Sequence, residues 1–308
     1  MNHFTNIKDI SYKNLRKILE DAKKRKSKRK NLKTLEIDKD KPLKGNLLIQ
    51  MFEKSSLRTR LSFYLAIKQL GGSALTLRPD ELHLSRGAES VSDTAKILST
   101  YGNIFMLRTD DEKKIKSFSK FLSIPLINGL SPESHPAQIL SDIFTIEEIT
   151  KRRVSKLNIC WIGDSNNVLN SLIEASIKFS FNLNIGCPKN YNPSKEILNY
   201  IKNNIGKVKI FNKANEAIKN ADVVLTDKVI SMNDKVDKKK KIKDFLKFKL
   251  NSKLMSLSKD AFLLHCLPRG NEVTDEVFYG KNSKVWQQAL NRVHVQKSIL
   301  LFCLNKLR

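Results

Sequence analysis

Short apolar runs, each ending in a polar turn and then a helical stretch, recur along almost the whole chain, and this rhythm constrains the fold more than any other feature. "NLLIQMF" (46–52), "SALTLR" (73–78), "NIFMLR" (103–108) and "IPLING" (124–129) read as strands. Between them lie "RTRLSFYLAIKQLGG", "ESVSDTAKILSTYG" and "DEKKIKSFSKFLS". The first of these places Leu61, Leu65 and Ala66 at helical spacing and ends on Gly71, a candidate C-cap. The second starts at Ser90 or Ser92 as N-cap and carries Thr94, Leu98 and Tyr101 at steps of one helical turn. Strand–helix–strand repetition of this kind predicts a mostly parallel sheet covered on both faces.

A second series follows the basic link "KRRVSK", with strands "LNICWIG" (157–163), "LNIGC" (183–187), "KVKIF" (207–211), "DVVLT" (222–226) and "AFLLHC" (261–266). With 308 residues, the chain is long for a single core. The expected architecture is therefore α/β, with two doubly wound domains of mostly parallel sheet joined by inter-domain helices. The first domain spans 1–134 and the second 135–286. A C-terminal helix over 287–308 has no strand after it and is expected to pack back onto the first domain. The connecting helix starts near Pro136, which suits a first-turn position.

The formal net charge of +26 invites a nucleic-acid reading. The lysines are spread throughout, however. The two denser runs, "KKRKSKRK" (23–30) and "KVDKKKKIKD" (235–244), lack the interleaved aromatics of a strand-stacking surface. They read as solvated faces, and no nucleic-acid partner is expected. A positive field would still draw in anionic substrates. No apolar stretch approaches the ~20 residues needed to cross a bilayer. The N-terminal residues lack a signal-peptide core, so a cytoplasmic location is expected. Cys160, Cys187, Cys266 and Cys303 are scattered without a CxxC pair, which fits reduced thiols better than disulfides or zinc. No metal or cofactor is expected.

Ligands of open parallel sheets bind beyond the C-terminal ends of the strands, and the polar motifs sit there. "FEKSSLRTRLSF" (52–63) brings Ser56, Leu57, Arg58 and Thr59 to a strand–helix junction. Backbone N–H groups, hydroxyls and a guanidinium there suit a phosphate. Arg58 and Arg60 oppose the helix dipole, an arrangement unexpected for a plain cap. Arg108 ends a neighbouring strand, as either a second cation for the same ligand or a surface ion-pair residue. In "NGLSPESHPAQILSD" (128–142), His135 and Gln138 lie one helical turn apart. They suit a small carbonyl or amide, or else a helix cap.

In the second series, "WIGDSNNVLNSL" (161–172) has one glycine and no GxGxxG, which excludes a dinucleotide fingerprint. Its Asn166 and Asn167 suit a cap or a carboxylate. Asp227, in "VVLTDKVISMN" (223–233), suits an ammonium group. "LLHCLPRG" (263–270) puts His265 and Cys266 at a strand end, where the cysteine is a nucleophile, a polarizable contact or plain core. Asn291 and Arg292 open the last helix.

In this order the segments resemble the aspartate/ornithine carbamoyltransferase family over roughly residues 40–308. Its Ser-Thr-Arg-Thr-Arg pattern is matched at 56–60, His-Pro-x-Gln at 135–138 and Asp-x-Asn-Asn at 164–167. Asp-x-x-x-Ser-Met is matched at 227–232, His-Cys-Leu-Pro at 265–268 and Asn-Arg at 291–292. The last three favour the ornithine branch. The resemblance implies transfer of a carbamoyl group from carbamoyl phosphate to L-ornithine, giving citrulline in arginine biosynthesis.

In that reading the phosphate is held by Ser56, the Leu57 backbone N–H, Arg58, Thr59 and Arg108. The carbamoyl group meets His135, Gln138, the Leu267 carbonyl and Arg292, with Cys266 between the two ligands. Ornithine is held by Asn167, Asp227, Ser231 and Met232. Arg58, His135, Cys266 and Arg292 carry the catalytic roles. Family members are typically homotrimers, and His83, in "DELHLSRGAES" (80–90), would reach a neighbouring site. The chain departs from the pattern at Leu57 (usually Thr), Val229 (usually Trp) and Asn233 (usually Gly), and it lacks the usual acidic residue before Asn291. The alternatives are an N-acylornithine carbamoyltransferase, against which an intact Asp227 speaks, and a basic nucleic-acid-binding protein without catalysis.

Overall fold

The structure is a computed structural model that describes residues 1–78, 89–204, 206–230, 237–258 and 260–307. His83, Ser231, Met232 and Asn233 lie outside the described residues. The chain divides into two compact units, Met1–Ser141 with Ala289–Arg308, and Asp142–Gln288.

In the first unit four strands, β1 (Leu47–Phe52), β2 (Ser73–Leu77), β3 (Ile104–Arg108) and β4 (Leu126–Leu130), form a sheet in the order β2-β1-β3-β4. All neighbours are parallel. The helices are α1 (Tyr12–Ser27), α2 (Leu57–Gln69), α3 (Val91–Tyr101) and α4 (Glu112–Phe121). Helix α5 (Pro136–Thr150) carries the chain from the first unit into the second. Strand residues Ile49, Met51, Phe105, Leu107 and Leu126 are buried with Ala95 and Leu98 of α3 and Ile115 and Phe118 of α4. The Phe105 and Phe118 rings lie 5.2 Å apart. Burial on both faces explains why these strands read as continuous apolar runs.

Ser90 is the residue that caps α3, its hydroxyl accepting from the Asp93 N–H. Helix α2 ends at Gln69 with Leu70 as its C-cap, one residue before the expected cap Gly71, which follows with φ +88°, a conformation that L side chains resist. The open edge of β4 is covered by the N-terminal segment: Phe4 N–H donates to the Leu126 carbonyl at 2.8 Å, and Asn128 N–H to the Phe4 carbonyl at 2.9 Å.

The second unit holds β5 (Asn158–Ile162), β6 (Asn182–Gly186), β7 (Lys207–Phe211), β8 (Val223–Asp227) and β9 (Phe262–Cys266), in the order β7-β6-β5-β8-β9. These are also all parallel. Its helices are α6 (Asn167–Phe179), α7 (Lys195–Lys202), α8 (Ala214–Ala217), α9 (Lys238–Phe245), α10 (Ser252–Met255) and α11 (Asp275–Phe278). Cys160, Ile162, Val224 and Leu263 pack with Ala214, Ala217, Phe245 and Phe248 in one apolar cluster. Edge strand β7 keeps lysines on its partly exposed surface, a common guard against edge pairing.

The last helix, α12 (Val285–Cys303), starts in the second unit and continues in the first from Ala289 onward. Its anchor in the first unit is ionic as well as apolar. Lys297 is fully buried, with Nζ 2.5 Å from Asp38 Oδ2, and Arg29 Nη1 reaches the other oxygen at 2.6 Å. Burial lowers the Lys297 pKa to about 8 despite the Asp38 partner. Ser298 donates to Asp21 at 2.6 Å.

Candidate active site

Each sheet has a point where successive connections leave in opposite directions, β1/β3 in the first unit and β5/β8 in the second. Such points open a crevice at the strand ends, and the polar residues gather beside both.

In the first unit Phe52 of β1 lies level with Arg108 of β3. Ser56 caps α2 in an extended conformation without a side-chain cap bond, and the first turn holds no acidic residue. The helix thus presents its N-terminal N–H groups, the Ser56 hydroxyl and Arg58 together. Leu57 is 71% exposed, so the side chain that departs from the family pattern points to the surface, while its N–H belongs to the helix start. Arg60 stacks instead over the Phe52 ring, 5.1 Å from its centroid, which accounts for one of the two arginines at this terminus. Below the strand ends, Glu53 accepts from the Thr109 hydroxyl and from Lys114 Nζ at 2.5 Å. Its own N–H donates to the Arg108 carbonyl at 2.9 Å, so Glu53 ties the ends of β1 and β3 together.

Arg292, from the far end of the chain, is buried. Its Nη1 donates to Gln138 Oε1 at 2.9 Å and its Nη2 to Thr59 Oγ1 at 2.7 Å. Since Thr59 accepts from the guanidinium, its own O–H is left to donate elsewhere. His135 is buried at the start of α5. Burial, and then the charges of Arg292, Arg108 and Arg58, hold its pKa well below the ordinary value. The imidazole is therefore neutral at physiological pH, with three guanidinium groups near enough to act on it. Chemically, this is an environment for a multiply charged anion and for negative charge developing on a carbonyl oxygen. Asn291, beside Arg292, accepts from Lys26 Nζ at 2.7 Å.

In the second unit Asp227 at the end of β8 lies level with Cys266 at the end of β9, and Thr226 with His265. Asn166 caps α6, its Oδ1 accepting from the N–H groups of Val168 and Leu169. Its Nδ2 donates to Asp227 Oδ2 at 2.8 Å. Asn167 is the first residue of α6. Burial pushes the Asp227 carboxyl up to about 6, against the opposing pull of His265, the Lys228 N–H and Asn166. A carboxylate so poor in solvent is suited to receive a cation. His265 is held by Glu272, with Nε2 to Oε1 at 2.8 Å. The same oxygen accepts from the Gly270 N–H at 2.6 Å. The His265 N–H donates to Gln288 Oε1 at 2.9 Å. Cys266 is buried, Leu267 N–H donates to the His265 carbonyl at 3.0 Å, and the Leu267–Pro268 bond is cis. Val229 packs into the apolar cluster of this unit.

The structure thus gathers Ser56, Leu57, Arg58, Thr59, Arg108, His135, Gln138 and Arg292 in the first unit, and Asn167, Asp227, Cys266 and Leu267 at the strand ends of the second. Motif reading did not single out Glu53, Glu272 or the contact from Asn166 to Asp227. Glu53 was legible only as the residue directly after a strand, and the others carried no local signal. Among the described residues there is no cluster of His, Cys, Asp and Glu that would hold a metal ion.

Comparison with known proteins shows the family of both units. The model of the aspartate/ornithine carbamoyltransferase carbamoyl-P binding domain matches residues 2–148, and that of the Asp/Orn binding domain matches residues 155–303. The chain belongs to the aspartate/ornithine carbamoyltransferase family. Within it, similar relatives are ornithine carbamoyltransferases. That of Rhizorhabdus wittichii is 40% identical over 99% of this chain and 98% of its own, and that of Rhizobium meliloti is 42% identical over 98% of each. Among solved structures, the anabolic ornithine carbamoyltransferase of Campylobacter jejuni superposes with a TM-score of 0.90 at 37% identity, covering 99% of this chain and 100% of that one. The Pyrococcus furiosus ornithine carbamoyltransferase gives 0.90 at 35% identity, covering 98% and 96%.

Proposed function

We propose that this enzyme transfers the carbamoyl group of carbamoyl phosphate to the δ-amine of L-ornithine, forming L-citrulline and phosphate in arginine biosynthesis. The observation that carries the reading is the approach of Arg58, Arg108 and Arg292 to the buried, neutral His135. Ser56, the Leu57 N–H, Arg58, Thr59 and Arg108 hold the phosphate. His135, Gln138 and Arg292 bind the carbamoyl oxygen and nitrogen, and Cys266 and the Leu267 carbonyl keep the roles that the family resemblance implies for them. Ornithine's α-ammonium pairs with Asp227, its carboxylate with Asn167, and Ser231 and Met232 complete the amino-acid site. Ornithine is favoured over aspartate by the Ser-Met, His-Cys-Leu-Pro and Asn-Arg segments of the ornithine branch, and the desolvated Asp227 carboxyl repels the second carboxylate that aspartate would bring.

The neutral δ-amine attacks the carbamoyl carbon. A C–N bond forms, the C–O bond to phosphate breaks through a tetrahedral oxyanion, and the extra proton on the attacking nitrogen passes to an oxygen of the departing phosphate. Arg58, Arg292 and the His135 imidazole stabilise that oxyanion, and Arg58 and Arg108 the departing phosphate. Such preorganised donors are worth about 3–4 kcal/mol each. No metal, cofactor or covalent intermediate is needed.

Exposed Leu57, Leu61 and Tyr64 form a stripe at helical spacing on α2, and Ile97 and Tyr101 are exposed on α3. They support assembly with further copies, in keeping with a homotrimer. The four cysteines, none of them in a disulfide, fit a reducing, cytoplasmic setting. The test is citrulline formation from carbamoyl phosphate with ornithine, N-acetylornithine or aspartate as acceptor, with light scattering for the oligomer. Carbamoylation of aspartate alone, or of acetylornithine in preference to ornithine, overturns the assignment.

A further inference from the structure

Helix α9 reads as a solvated lysine run, and Lys238, Lys239, Lys240 and Lys243 are indeed exposed. Lys241 is turned inward. It is 4% exposed, its Nζ lies 2.6 Å from Asp164 Oδ2, and the ammonium stands 5.8 Å from the centroid of the Tyr191 ring. A lysine is seldom buried to this degree unless it is paired.

Its partner organises the turn after β5. Asp164 Oδ1 accepts from the Ser165 N–H at 2.9 Å. The Asp164 carbonyl accepts from Trp161 Nε1 and from the Asn166 N–H, each at 3.1 Å. Asn166 in turn caps α6 and donates to Asp227. A continuous chain of contacts therefore leads from Lys241 through Asp164 and Asn166 to the carboxylate read above as the α-ammonium acceptor. Tyr191 braces the same face of α9, donating to Asp244 at 3.0 Å and packing against Phe245 with ring centroids 4.9 Å apart.

We propose that the Lys241–Asp164 ion pair is a positioning device for the amino-acid site, holding the turn so that Asn166 orients Asp227 and Asn167 for the acceptor substrate. Neither residue touches substrate in this proposal, which rests on the ornithine reading of the same site. Removing Lys241 leaves Asp164 as a largely desolvated anion without its cation, and the turn relaxes toward solvent. Asp164→Asn keeps an acceptor for the Ser165 N–H but loses the ion pair.

The test is steady-state kinetics of Lys241→Met, Asp164→Asn, the double variant and Lys241→Arg, with both substrates varied and melting curves recorded. The expected result is a rise of about tenfold or more in the ornithine KM of each single variant, with the carbamoyl phosphate KM unchanged within about twofold. The double variant should be no worse than the worse single one, since both changes break the same contact. Lys241→Arg should restore most of the loss. An unchanged ornithine KM in Asp164→Asn, or an equal rise in both KM values, overturns the proposal even if Lys241→Met fails to fold. A wild type that does not carbamoylate ornithine sinks the functional reading itself, and this proposal with it. Active wild type with unmoved variants sinks the positioning role alone.

Discussion

Replacing Asp227 by Asn should stabilise the free enzyme while destroying its activity. The carboxyl is raised from 3.8 to about 6, chiefly by burial, so it binds its proton more tightly in the folded state than in the unfolded one. The wild type accordingly loses stability as the pH climbs from the unfolded value through the folded one, whereas an amide has no proton to lose. At 1.36 kcal/mol per unit, linkage puts this penalty at no more than about 3 kcal/mol at pH 8 and about 1.6 kcal/mol at pH 5. These are upper bounds, because Asp227 keeps a partly exposed edge. The Asn166 Nδ2 donor can be accepted by the new carboxamide oxygen, so the cap of α6 survives. Thermal unfolding without substrates should show Asp227→Asn melting up to about 5 °C above wild type at pH 8, with the advantage roughly halved at pH 5. Citrulline formation should fall at least about 100-fold, the loss of about 3 kcal/mol expected when a buried ammonium loses its counter-charge. A variant no more stable than wild type at pH 8, or one whose advantage is the same at both pH values, would mean that burial of the Asp227 charge does not destabilise the fold.

Three further outcomes follow from the same geometry. Arg58→Ala should abolish turnover with a melting temperature near that of wild type; near-normal activity in that variant removes the phosphate-site assignment. The ornithine KM should rise about tenfold for each pH unit below 6, because only ionised Asp227 pairs with the α-ammonium; a pH-independent KM between 5 and 7 contradicts this. Glu53→Ala breaks the ties to Thr109 and Lys114 and should cost about 2 kcal/mol in denaturant unfolding, with a higher KM for carbamoyl phosphate and little change for ornithine.

Much of the architecture was legible from short-range pattern. The nine expected strands are present; the central ones are buried on both faces and write themselves as apolar runs, while the partly exposed β2 and β7 are legible from their alternating pattern. Ser90 and Gly71 were legible as helix boundaries because capping and positive φ are decided within a few residues. The strand-end position of Arg58, Arg108, Asp227 and Cys266 came from the same rhythm, since the turn after each strand is where polar residues collect. Arg60 shows the limit of this reasoning. By pattern it equals Arg58, yet it stacks on Phe52, a contact governed by which side of the first helical turn it occupies.

Local pattern along the chain thus set the two α/β series, the strand ends at which polar groups appear, and which residue types are available there. Tertiary structure alone decided how those groups are used. It brings Arg292 onto Thr59 across 233 positions, neutralises His135 by burial among three guanidinium groups, lifts the Asp227 carboxyl, and chooses Lys241 from a run of like residues to meet Asp164. The physical reason is range. Backbone preference and periodicity act over one or two helical turns, whereas desolvation and charge pairing depend on which distant segments the fold packs around a group.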